Sequence, residues 1–268
     1  MEEDEYLRFL IVGDVVGKPG RRVLREKLSS LREELQVDAV IVNGENAAGG
    51  LGITPEVCEE ILGYGVDVIT TGNHIWDKKE IVSYIEHQPR LLRPLNYPDG
   101  VPGRGSLILE KGGKVWAVVN LSGRVFMPPL DCPFRRMEEE LKHLHEETRL
   151  ILVDFHAEAS SEKIAMGWFL DGKVSCVFGT HTHVATADER ILPQGTAYIT
   201  DIGMTGAHDS VIGIEIADIV GRFLTQMPVK YRVAKENVKL NGIVVEVDDT
   251  TGKAQKIFRL SVPLAEHV

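Results

Sequence analysis

The chain has 268 residues, 43% of them apolar, and a formal net charge of −10. That is enough for one large domain with a substantial core, and the acidic balance argues against a basic DNA-binding protein or one drawn to anionic membranes. Three widely spaced cysteines, an odd number with no C-x-x-C among them, argue against a disulfide framework or a zinc knuckle.

The opening "MEEDEYLRFL" is acidic and lacks the basic and apolar regions of a signal peptide. No apolar run approaches bilayer length, so a cytoplasmic protein is expected. From there, short β-branched runs alternate with helical patterns. Strands are predicted at 7–12, 39–42, 66–71, 115–121, 149–155, 174–178 and 197–200. Helices are predicted at 21–35, 55–63, 77–87, 134–147 and 215–226. In the first of these helices Val23, Leu24, Leu28, Leu31 and Leu35 share one face. Residues 241–262 read as a hairpin turning at "DDTTGK". The alternation implies an α/β fold with covered sheets. No linker or repeat interrupts it, so residues 1–268 are expected to form a single domain.

The polar residues that follow the strands carry the chemistry. Asp14 follows the first, Glu45 and Asn46 the second, Asn73 and His74 the third. His156 follows the fifth, and His181 and His183 follow the sixth in "GTHTH". In open α/β sheets the carboxyl ends of the strands form the site-bearing edge. Any one of these residues is ordinarily a turn former or a helix cap. Turn chemistry does not, however, call for histidine four times.

A second H-x-H, His143 and His145, serves as a contrast. It lies in a helical segment, where i and i+2 point apart, whereas after a strand they can face the same way. His208 reads as a loop residue, and His87 and His267 have no comparable context. "GDVVGKPG" is neither G-x-G-x-x-G nor a Walker A loop, and no G-x-S-x-G occurs.

Mixed Asp, Glu, Asn and His donors suit iron, manganese or zinc. Their number exceeds the need of one ion. Two ions about 3.5–4 Å apart, bridged by one carboxylate, can hold a hydroxide and clamp a phosphoryl group for in-line attack. Glu45 is the best bridging candidate.

"GDVVGKPGR", "NGENAAGGLGIT", "TTGNHIWDKKEI", "LLRPLNYP", "DFHAEASSEK" and "GTHTHVATADERILPQGTAYITDIGMTG" resemble the YmdB-type bacterial phosphodiesterases, within the calcineurin-like metallophosphoesterases. The resemblance runs from about residue 7 to the C-terminal hairpin. Two departures from the broad superfamily bear on which metal is bound. Val16 stands where a D-x-H histidine is usual, and Glu45 stands where an Asp usually bridges.

The resemblance implies a four-layer α/β sandwich. It implies one metal held by Asp14, Glu45, Asn46 and His183, a second held by Glu45, Asn73, His156 and His181, and His74 as proton donor. Iron or manganese is expected, with zinc as the alternative. The implied activity is hydrolysis of 2′,3′-cyclic nucleotides. The competing readings are a broad phosphomonoesterase and a regulatory nucleotide- or metal-sensing protein with incidental hydrolysis. A homo-oligomer is the expected assembly, and RNA stays a second substrate class despite the absence of a basic patch. Arg93 and Arg124, in Pro/Gly-rich loops, read as loop-bracing rather than substrate-binding residues.

Overall fold

Strand β1 (Tyr6–Val12) buries both of its faces, sending Phe9 and Ile11 to one side and Leu10 and Val12 to the other. The same division runs through β3 (Ala39–Asn43), with Ile41 on one side and Val40 and Val42 on the other. Strands with two apolar faces must be covered on both. The computed structural model, which describes residues 6–265, shows how.

One sheet contains β2 (Asp14–Val15), β11 (Met204–Ala207), β12 (Val238–Asp248), β1, β3 and β4 (Val68–Thr70), in that order, with β13 (Ala254–Pro263) also paired to β12. The other runs β5 (Ser106–Lys111), β6 (Lys114–Ser122), β7 (Ile151–His156), β8 (Cys176–Thr180), β10 (Ala197–Ile199) and β9 (Arg190–Ile191). The sheets face each other across a core in which Phe9, Ile41 and Val245 meet Trp116, Leu152 and Phe178. Helices α1 (Gly17–Glu34) and α2 (Pro55–Gly63) cover the outer face of the first sheet. Helices α4 (Pro133–Glu147) and α5 (Ser160–Leu170) cover that of the second. The result is a four-layer α/β sandwich with three cores. No helix among the described residues is long and apolar enough to cross a membrane.

The first strand forks where the site begins. β1 stays with β12 as far as Val12, opposite Gly242. Gly13 still donates its N–H to the carbonyl oxygen of Asn241 at 3.0 Å; beyond it the chain parts from β12, and β11 enters between β2 and β12. A Cβ at Gly13 would stand 1.9 Å from the carbonyl oxygen of Gly203, so only glycine permits this fork.

The predicted elements are present, with six differences, two of them the unpredicted two-residue strands β2 and β9. The helix expected at 77–87 shrinks to α3 (Ile81–Tyr84), because the residues before it turn to deliver His74 and Asp77. Strand β5, unpredicted, forms a hairpin with β6 around Gly112 and Gly113, both at positive φ. Strand β11 is short and contains glycine, which hides it. Helix α5 is hidden because its buried face includes Glu162 and Lys163 while Trp168 is half exposed. The last predicted helix is α6 (Ile216–Thr225).

Trp116 is 1% exposed and meets Phe9 edge to face across the two sheets, with ring centroids 5.3 Å apart. Trp116→Ala should therefore lower the free energy of unfolding by about 3–5 kcal/mol, the usual range for an aromatic deleted from a core. Urea denaturation reads this directly, and a loss below about 1 kcal/mol would show that the two sheets do not depend on this contact.

Candidate metal centre

The eight residues singled out at strand ends converge. Nε2 of His156, a fully buried residue at the end of β7, lies 3.1 Å from each of three atoms: Oδ1 of Asn73, Nδ1 of His181 and Oε1 of Glu45. The donor atoms of Glu45, His156 and His181 all lie within 4.8 Å of one another. Beside them, Nδ2 of Asn46 stands 3.1 Å from both Oε1 of Glu45 and Nε2 of His183. That imidazole nitrogen is 3.9 Å from Oδ1 of Asp14. Glu45 thus belongs to both groups. His74 joins through its backbone N–H, which donates to Oε2 of Glu45 at 3.2 Å.

The two loop histidines converge for a reason that strand period does not supply. β8 ends at Thr180, and His181 and His183 take φ values of 95° and 65°. Such backbone is costly for a residue with a Cβ, on the order of 1–3 kcal/mol. Thr182, between them, is gripped to hold it. Its N–H and hydroxyl both donate to Oδ2 of Asp201, at 3.2 and 2.7 Å. Asp201 is in turn paired at 2.6 Å with the buried ammonium of Lys163. His183 Nδ1 meets the carbonyl oxygen of Ile212 at 2.9 Å, which leaves Nε2 for the site.

Reading the sequence missed this support. Thr180 Oγ1 stands 2.8 Å from His156 Nδ1 and donates to Oδ1 of Asp154 at 2.6 Å. Asp154 is wholly buried and also receives Asn43 Nδ2 at 3.0 Å. The chain Asp154–Thr180–His156 fixes the ring so that Nε2 faces the other donors. Asp154 carries one signal that could have revealed it: a charged residue set inside the otherwise apolar strand run ILVDF.

Burial and charge oppose each other here. Burial works to raise the carboxyl of Glu45, but the adjoining His156 and His74 overcome it and hold it near 2. Burial alone would keep His156 neutral, yet Glu45 and Asp14 lift it to about 9. Asp14 rises to about 6, chiefly through burial. Burial and the neighbouring His156 push His181 down to about 3, so it offers a free lone pair.

The donor set fits cations. Oδ1 of Asp14 is buried without a hydrogen-bond partner. A Cβ at Gly72 would come within 2.2 Å of His156 Nε2 and 2.3 Å of Glu45 Oε2, so the chain keeps this spot clear of its own atoms. A half-turn of the Asn46 amide would present oxygen in place of nitrogen.

The other candidates lie elsewhere. His145 sits on α4 and meets the carbonyl oxygen of Lys173 at 2.8 Å. His208 Nε2 binds Asn241 at 2.9 Å. Arg93 braces its own loop through the carbonyl oxygens of Pro94, Val101 and Pro102. Arg124 is exposed, its N–H held by Glu162. His267 lies outside the described residues. A pocket of about 620 Å³ opens over Glu45, Asn46, His74, His181 and His183.

A family model described as YmdB-like protein matches residues 10–260. The chain is 49% identical over 256 residues to the 2′,3′-cyclic-nucleotide 2′-phosphodiesterase of Bacillus subtilis, covering 96% of this chain and 97% of that one. Among solved structures, a "novel phosphatase" from Mycoplasma pneumoniae superposes with a TM-score of 0.90 at 37% identity, over 96% of this chain and 94% of that chain. A "hypothetical protein" from Thermus thermophilus superposes with a TM-score of 0.89 at 41% identity, over 97% of this chain and 100% of that chain. The fold is of the metallophosphoesterase type.

Because Glu45 belongs to both donor groups, Glu45→Gln should empty much of the site and reduce any metal-dependent hydrolysis to near background. Metal content by mass spectrometry checks the first effect. Replacing His143 and His145 together by Ala should leave metal content at the wild-type level, whereas His181→Ala should cost at least one ion per chain. Equal losses from the helix pair and the loop pair would contradict this assignment.

Proposed function

The chain belongs to the YmdB-like family, and we propose that it is a metal-dependent phosphodiesterase that opens 2′,3′-cyclic nucleotides to 3′-monophosphates. The observation that carries this reading is the position of Glu45, shared between the donors Asn73, His156 and His181 on one side and Asp14, Asn46 and His183 on the other. Each side would hold one divalent cation, iron or manganese by the mixed O/N donor set, with zinc as the alternative. When bound, such a pair acidifies a water and neutralises charge on a phosphoryl group.

The protein's own residues supply the remainder. His156 is held by Thr180, and the loop between His181 and His183 by Asp201, so these three imidazoles are in place before binding. His74 lines the pocket, and its Nδ1 lies 2.9 Å from Oδ2 of Asp77. Asp77 accepts from Nδ1–H, so the second proton of the imidazolium form sits on Nε2, which has no protein partner among the described residues. In hydrolysis, water adds at phosphorus and the P–O2′ bond breaks. The departing O2′ gathers negative charge, and in this reading the imidazolium of His74, in the lining of the same pocket, gives it the proton and is left as neutral imidazole.

The leaving group tests this role. An alkoxide needs the proton and a nitrophenolate hardly does. His74→Ala should keep its metals and fold, lose about 10²–10⁴-fold in kcat on 2′,3′-cyclic AMP, and lose much less on a nitrophenyl diester. Equal losses on the two substrates, or loss of metal, would leave His74 a structural residue or a ligand.

A further inference from the structure

Helix α6 stands apart from the cores. Asp218 is its only buried residue, and Phe223 is 74% exposed. Yet Ile219, Arg222, Phe223 and the capping residue Gln226, spaced as one helical face, all line the pocket over the metal centre. Tyr231 lines it too, and the guanidinium of Arg222 lies over the Tyr231 ring, 5.4 Å from its centroid. Asp218 fixes this arrangement by receiving Nε and Nη2 of Arg232 at 3.0 and 2.6 Å, which ties the helix to the segment that carries Tyr231. Among the described residues no carboxylate pairs with Arg222.

These features describe an aromatic and cationic wall beside a phosphoryl site. We propose that Phe223, Arg222 and Tyr231 form a nucleoside subsite in which the base of the substrate stacks while its cyclic phosphate lies over Glu45. This inference rests on the phosphodiesterase reading above and adds what selects the substrate. The wall suits a nucleobase by its chemistry. A base offers a flat π-face that stacks on rings and on a guanidinium plane, which a simple alkyl phosphate lacks. The pocket has room for a whole nucleotide, since sites for molecules of that size span about 300–1,000 Å³. Ile212 and Leu51, also in the lining, supply the apolar surroundings that stacking needs.

The test compares two five-membered cyclic diesters, 2′,3′-cyclic AMP and glycerol 1,2-cyclic phosphate, which share the reacting group and differ in the base. On the metal-loaded protein, Phe223→Ala should lower the ratio of kcat/KM values (cyclic AMP over glycerol cyclic phosphate) about tenfold. The loss should fall on KM for cyclic AMP. Adenosine, which has no phosphate, should bind the wild type by calorimetry and bind Phe223→Ala about tenfold more weakly. Phe223→Tyr should restore both. An unchanged substrate ratio overturns the proposal, as does undiminished adenosine binding. Equal losses on both substrates with a change in sedimentation also overturn it, and would mark α6 as a contact between copies of the chain. If the wild type hydrolyses neither diester, the phosphodiesterase reading fails, and adenosine binding alone then decides the subsite.

Discussion

Everything at this site answers to one constraint: three carboxylates and a single imidazole share a fully desolvated seam between the sheets. Asp14, Glu45, Asp154 and His156 are all 1% exposed or less. Uncompensated buried charge is among the most expensive features a fold can carry. His156 is the hinge of the compensation. It touches Glu45 directly, approaches Asp14, and reaches Asp154 through the Thr180 hydroxyl. His183 adds to the compensation at Asp14 and His74 at Glu45, from less buried positions. Burial still pushes Asp14 and Asp154 up, and only Glu45 is drawn down. Asp14 Oδ1, buried without a hydrogen-bond partner, is the point at which the seam fits a cation rather than a closed hydrogen-bonded cluster.

The fold was legible where burial is conventional. Strands β1, β3, β7 and β8 read as apolar runs because each is covered on both faces, and α1 read as a stripe because only one face of it is covered. Legibility failed where function turns burial inside out. Helix α5 hides Glu162 and Lys163 in the protein and leaves Ile164 and Trp168 partly outside, so its sequence has no apolar face to detect. The lysine is there for Asp201, and Asp201 is there for the loop between His181 and His183.

The eight site residues were visible because histidine has no business in turns four times over. Their geometry was not. Strand alternation was the reason to expect His181 and His183 on one side, but the structure achieves it with two left-handed residues beyond the strand end. That conformation is recorded nowhere in the side-chain pattern. It persists because Asp201 and the carbonyl oxygen of Ile212 pin Thr182 and His183 from opposite ends of the loop. What Asp154 does with Thr180 was hidden for a related reason. A buried aspartate in a strand reads as an interruption until the threonine on the neighbouring strand is known.

The fork at Gly13 has a bearing on how the molecule comes to exist. Asp14 lies on β2, whose strand partner is β11, some 190 residues further along the chain, and β1 is flanked by β3 on one edge and β12 on the other. During synthesis the N-terminal strand therefore emerges early and waits. It pairs with β3 soon, but its second edge stays open until residues around 238–248 leave the ribosome, and β2 stays unpaired until residues around 204–207 do. Contacts of such long sequence separation form slowly, and an apolar strand with an open edge is a liability while it waits. A nascent chain truncated before β11 would carry Glu45 and all four site histidines without the strand that seats Asp14. Asp14 is thus seated only once β11 is available to pair with β2.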